Sequence, residues 1–167
     1  MNLTHQPVRQ KMPREVSKDY KGFIAALSCV ICGAGPEVAH VRFGRTCPRC
    51  EGRGWIEDIG LEGVFRVKCV DCHGAKYRYG KRPTGAGEKP SDWWTLPLCP
   101  QHHRLGPDCQ HSMNEAEFWQ KHGIDALHLC TRLQDIYNSS PTRAGAIESA
   151  MAMLEGLKCS TPQEHNR

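Results

Sequence analysis

Four short ligand-type spacings constrain this chain more than any other feature. Three are Cys-x-x-Cys pairs, Cys29/Cys32, Cys47/Cys50 and Cys69/Cys72, and the fourth is Cys-x-x-His, Cys99/His102. Four ligands around one zinc ion are supplied most simply by two tight turns, each giving a pair two residues apart. Seven of the ten cysteines fall into these pairs, a pattern of metal knuckles and not of a disulfide framework. The chain has 167 residues, 39% of them hydrophobic and only 4 Trp, 4 Tyr and 4 Phe. A large core is therefore not expected, and small domains short of apolar surface are commonly held by metals or disulfides. No secretory leader and no run of roughly 18 apolar residues is visible. The expected setting is a reducing cytoplasm, where thiols bind metal.

Charge is unevenly spread. Residues 1–90 carry 16 Lys+Arg against 9 Asp+Glu, a balance of +7, and residues 91–167 carry 6 against 9, or −3, which sums to the overall +4. A basic N-terminal half fits a phosphate-rich partner. A solvated basic face without a partner would have the same composition.

The expected order is mostly helical with a small hairpin, an α+β arrangement. Residues 1–16 read as a flexible basic arm. Ser17 caps a helix over KDYKGFIAAL, with Phe23, Ile24 and Leu27 on one face. EVAHVRF, 37–43, reads as a strand. Residues 45–82 hold two cysteine pairs and form an insert, closed by the Gly/Pro-rich KRPTGAGEKPSD. Trp93 to Leu98 reads as extended, with Pro97 marking an edge or strand end. A helix is expected from about Pro100. The next carries a capping box at Ser112–Glu115 or at Asn114–Glu117 and stops at Gly123. Asp125 caps ALHLCTRLQDIY, striped by Leu129, Leu133 and Ile136. A last helix covers roughly 142–158. The core thus comprises 17–44 and 83–123, followed by C-terminal helices over 124–160 and a tail over 161–167.

Cys29, Cys32, Cys99 and His102 make a Cys₃His zinc site laid out as knuckle, hairpin and helix, the plan of a treble clef. Cys47, Cys50, Cys69 and Cys72 make a Cys₄ site. The 18 residues between its pairs lie in the zinc-ribbon range. CPRCEGRG and CVDCHGAK resemble the Cys-x-x-Cys-x-Gly-x-Gly repeats of DnaJ-type chaperones, with Lys76 in place of the final glycine. No His-Pro-Asp of a J-domain is present. CVDCH also matches a c-type haem attachment motif, a reading that would require export and would leave Cys47 and Cys50 unexplained.

Since a helix turns about 100° per residue, His102 and His103 cannot both serve one tetrahedral site. His103 is expected to face the groove between helix and hairpin, opposite His40 on the strand, with Asp92 in the loop between. The order Cys29, Cys32, His40, Asp92, Cys99, His102, His103 resembles the HNH endonucleases. More narrowly, VAH, KPSD, LPLCPQHHR and QHS look like the phage and prophage RecA-dependent nucleases, the recombination enhancement function family. That resemblance spans about 25–125 and does not cover the insert.

The resemblance implies a ββα-metal core that hydrolyses DNA phosphodiester bonds in a bacterial host cell, in connection with a RecA-type recombinase. It implies His40 as general base, and His103 with His111 holding a catalytic Mg²⁺ or Mn²⁺. Ala39 stands where many relatives carry a metal ligand, and Asp92 stands for the usual Asn. Asp92 either replaces the missing ligand or fixes the loop by accepting backbone hydrogen bonds. Arg42, Arg45, Lys76, Arg78, Lys81 and Arg82, with Tyr77 and Tyr79 interleaved, are the candidate DNA contacts. Trp93 and Trp94 are expected to pack the core, and His5, His73, His122, His128 and His165 to lie on the surface or in packing. Competing readings are a non-catalytic zinc-dependent DNA-binding module, to which Ala39 points, and a chaperone-like zinc domain.

Overall fold

The computed structural model describes residues 15–159 apart from 62, 86 and 87. Most of the basic arm and the tail, with His5 and His165, lie outside the described residues. The described residues form a small α+β arrangement in which helices pack on one two-stranded antiparallel sheet and a second two-stranded sheet has its own small core.

Helix α1, Lys18–Ala25, starts where the Ser17 hydroxyl accepts from the Tyr20 amide. Its Tyr20, Phe23 and Ile24 are fully buried. Strand β1, Glu37–His40, pairs with β4, Thr95–Leu98, in the register Glu37↔Leu98 to His40↔Thr95. Both strands of a two-stranded sheet are edges, so Pro97 costs no central ladder bond. Its carbonyl accepts instead from Val30 in the knuckle. The strand expected over 37–43 is shorter because its continuation finds other acceptors. Val41 donates to the Trp94 carbonyl, while the Arg42 and Phe43 amides donate to the Glu115 carboxylate.

Between these strands, β2, Trp55–Gly60, and β3, Gly63–Lys68, form a hairpin. The chain returns through a short 3₁₀ turn at Arg78–Gly80. The two roots of this segment are tied together: Arg78 donates to the Arg45 carbonyl and Thr84 to that of Arg42, each at 2.8 Å.

After β4, the helix expected from Pro100 is a single π-helical turn, Gln101–Leu105. It closes when Gly106 donates to the Gln101 carbonyl at 2.9 Å. A Cβ on Gly106 would stand 2.6 Å from that oxygen, so only glycine allows the approach. Helix α2, Glu115–Lys121, is capped by Asn114, whose side chain accepts from Ala116 and Glu117. Of the two expected boxes, the Asn114 position supplies the cap and Glu115 turns away to hold the end of β1. Asp125 caps α3, Ala126–Ser139, through the His128 amide. Helix α4, Arg143–Cys159, buries Ala146, Ala150 and Leu154, four residues apart on one face.

The main core joins α1, β1, β4 and α2–α4 around Phe118, Trp119, Leu127, Leu129, Leu133, Leu96 and Leu98, with Trp93, Trp94 and Ile136 packed against it. Trp93 packs against Tyr20 with the rings tilted and their centroids 4.6 Å apart, as expected of a packing residue. A second, much smaller core consists of Cys47, Cys50, Cys69 and Cys72 with Ile56. Four sulfurs and one isoleucine are too little apolar surface to hold a hairpin by themselves.

Candidate metal centres and polar network

Among the described residues, two groups of metal-ligand atoms converge to within 4.8 Å of one another: Cys29, Cys32, Cys99 and His102, and Cys47, Cys50, Cys69 and Cys72. In the first, Cys32 and Cys99 sulfurs are 3.6 Å apart, and His102 Nδ1 stands 3.2 Å from Cys99 and 3.7 Å from Cys29. In the second, Cys47–Cys69 measures 3.8 Å and Cys50–Cys72 3.6 Å. Sulfurs bound tetrahedrally at about 2.3 Å from one ion stand about 3.8 Å apart. Disulfide sulfurs would be about 2.05 Å apart.

The donor chemistry of the buried Cys₄ pocket fits a cation as well. Burial raises the Cys50 thiol, but the Gly54 amide and the neighbouring Cys72 outweigh it and bring it to about 7. Burial and the thiols of Cys50 and Cys69 push Cys72 up to about 11. One thiolate forms readily there; four require a compensating charge. Both groups can hold structural zinc.

The two ribbon knuckles are near copies in backbone as well as in sequence. Glu51, Gly52 and Gly54 have φ of 51°, 79° and 84°; His73, Gly74 and Lys76, at matching places, have 48°, 85° and 72°. Each knuckle also binds the other. Cys47 donates to the Lys76 carbonyl at 3.0 Å and Cys69 to that of Gly54 at 3.1 Å.

A network of polar side chains surrounds β1 next to the first centre. Asp92 is fully buried, and both of its oxygens are engaged. Oδ1 faces His40 Nε2 at 3.2 Å. Oδ2 accepts from the Ser17 amide at 3.1 Å and pairs with Lys21 Nζ at 3.2 Å. A carboxylate acceptor at Nε2 places an imidazole proton on that nitrogen. Gln110, also buried, donates to the His40 carbonyl at 2.9 Å and to Glu115 at 2.7 Å.

His103, next to His102, points elsewhere, as helical geometry requires. Its Nδ1 meets Glu37 Oε2 at 2.9 Å. Arg104 forks onto the same carboxylate, Nε to Oε2 at 2.9 Å and a terminal nitrogen to Oε1 at 2.6 Å. Arg104 first, and then His103, hold the Glu37 carboxyl down at about 2. The rings of His103 and His111 meet edge to face at 4.6 Å. The chain after the π-helical turn folds back on it, the Gln110 amide donating to the His102 carbonyl and the His111 amide to that of His103. Burial and the His103 ring lower the basicity of His111.

Asp92 does not join His103 and His111 in a convergent ligand group; it is occupied by His40, Ser17 and Lys21. Asp92 accepts a backbone hydrogen bond from Ser17, which ties its loop to the start of α1. Ala39 is fully buried in the core and offers no ligand. Sequence reasoning missed Glu37, Gln110 and Lys21. Glu37 opens the strand at the position that faces Leu98, the residue before Cys99, a pairing that the sequence does not show.

The basic set divides. Lys81 is only 4% exposed, and its ammonium donates to the carbonyls of Arg42 and Arg82 and to the Thr84 hydroxyl. It is a buried brace at the insert's root, which corrects the expectation of a phosphate contact. Arg42, Arg45, Lys76 and Arg82 are exposed and Arg78 is half-buried. Arg82 pairs with Glu88 and Arg78 with Asp125. Tyr79 stacks on His128, and His122 packs against Phe118 and His102.

Comparison with protein families, with curated proteins and with solved structures finds no match. No described helix is long and apolar enough to cross a membrane.

Proposed function

We propose that this chain is a metal-dependent endonuclease of the HNH type, acting on DNA phosphodiester bonds. The observation that carries the reading is the pairing of His40, at the end of β1, with the fully buried carboxylate of Asp92, together with a histidine pair, His103 and His111, whose neighbour Gln110 bonds the His40 carbonyl. A zinc knuckle at Cys29–Cys32, the β1–β4 hairpin and the turn bearing His102 and His103 supply the treble-clef frame for it.

In this scheme Asp92 holds His40 with the proton on Nε2, and Nδ1 takes a proton from the attacking water. The water oxygen bonds to phosphorus as the bond to the 3′ oxygen breaks. His103 and His111 would hold Mg²⁺ or Mn²⁺, which offsets negative charge on the phosphoryl group and leaving oxygen when bound. Arg42 and Arg45, exposed beside His40, contact the backbone without reading sequence.

A second reading, a zinc-dependent DNA-binding module without turnover, is favoured by the buried Ala39 and by the engagement of Asp92 away from His103. One experiment separates the two. Supercoiled plasmid and single-stranded DNA are incubated with the zinc-loaded protein and Mg²⁺ or Mn²⁺, with and without a RecA filament, alongside His40→Ala of equal zinc content. Metal-dependent cutting that disappears with His40→Ala supports the nuclease. Binding without cutting under every condition sinks it in favour of the module.

A further inference from the structure

We propose that Glu37 is a positioning residue that fixes His103 as its Nδ1–H tautomer and so presents Nε2, beside the His111 ring, as the ligand atom for a hard divalent cation. This rests on the reading of His103 as a cation ligand. His103 Nδ1 and Glu37 Oε2 are 2.9 Å apart, a hydrogen-bond distance. The carboxylate is itself clamped by the Arg104 fork on both oxygens, so it cannot rotate away without breaking two charge-assisted bonds. Glu37 sits at the first position of β1, opposite Leu98, immediately before Cys99. The strand that carries His40 therefore also sets the ring of His103. Residues holding the second nitrogen of a metal-ligating histidine typically matter 10- to 100-fold for affinity.

The two histidines are held in opposite senses. Asp92 takes Nε2 of His40, leaving Nδ1 basic, whereas Glu37 takes Nδ1 of His103, leaving Nε2 to coordinate. Strand β1 and the loop before β4 thus sort two imidazoles into different roles, each by the ring nitrogen its carboxylate occupies.

The test uses the full chain with both zinc sites loaded. Long-range proton–nitrogen NMR on histidine-labelled protein reads the tautomer, and Mn²⁺ titration followed by electron paramagnetic resonance reads affinity. Wild type is expected to show His103 with the proton on Nδ1 and to lose Mn²⁺ binding with His103→Ala. E37Q is expected to weaken Mn²⁺ about 10- to 100-fold at unchanged zinc content, with Glu37→Asp intermediate. A proton on Nε2 in wild type overturns the proposal. So does Mn²⁺ binding that needs His103 but is equal in E37Q, which leaves the cation reading standing. If wild type takes up no Mn²⁺ although the proton is on Nδ1, the cation reading of His103 fails and the proposal falls with it.

Discussion

Lys76 adopts the left-handed backbone, φ 72°, that Gly54 adopts at 84° in the facing knuckle. The repeat therefore demands the conformation whether or not a glycine is there to take it. At Gly54 the demand is strict, since a Cβ would come within 2.9 Å of the Gly74 carbonyl oxygen.

Lys76→Gly should raise the stability of the zinc-loaded ribbon by up to about 1 kcal/mol, the left-handed penalty of about 1–2 kcal/mol being offset by the added entropy of the unfolded chain. Gly54→Ala should lower it. Denaturant midpoints at fixed zinc check both signs, and a lower midpoint for Lys76→Gly would refute the strain argument.

Zinc content should be two per chain by elemental analysis, and one in Cys50→Ser or Cys99→Ser. The two losses differ in consequence. Removing the Cys₄ site should unfold the hairpin and leave the near-ultraviolet signal of Trp119 and Tyr20 intact, because those rings lie in the other core. Cys99→Ser should disturb that signal.

Asp92→Ala should cost about 1–3 kcal/mol, since it strands the Ser17 amide and the His40 ring beside a buried gap. Asp92→Asn should retain more of that stability yet weaken the pair with Lys21. Thermal unfolding and His40 nitrogen shifts report these separately.

Glu37 gives a pH prediction of definite sign. Its folded value, about 2, lies below its ordinary 4.5, so ionisation favours the folded state. That contribution is complete above about 4.5 and is lost as pH falls through about 2. Carbon NMR of the Glu37 carboxyl should show it still ionised at pH 4, and Arg104→Met should move its titration upward.

Among the basic residues, Arg45→Ala should reduce the salt dependence of DNA binding by about one counterion. Lys81→Ala should leave that slope unchanged and lower stability instead, because its ammonium serves Arg42, Arg82 and Thr84. A Lys81 variant that binds DNA with a lower slope at full stability would restore it to the phosphate contacts.

The metal framework was legible because a two-residue spacing already fixes the turn that places both ligands. The caps at Ser17, Asn114 and Asp125 were legible for a similar reason: the acceptor and its amides are neighbours in sequence. What could not be read were the pairings made across the fold. The truncation of β1 depends on Glu115 reaching Arg42, and the engagement of Asp92 depends on α1 delivering Lys21. The π-helical turn was hidden because Gln101 to Leu105 has ordinary helical composition, and only the approach of Gly106 widens it. Lys81 illustrates the reverse: charge in a basic run suggested a surface role, while burial at a junction gave it a different one.

The joined roots of the insert bear on how the chain finds its fold. Pairing His40 with Thr95 requires closing a long loop, and the entropy of closure grows with loop length. Because Arg42 and Thr84 are held within a single hydrogen bond, a ribbon that has already gathered its metal acts as a shortcut across that loop. Metal capture by Cys47, Cys50, Cys69 and Cys72 then becomes an accelerator for the β1–β4 sheet, and refolding should slow when those four thiols are starved of zinc.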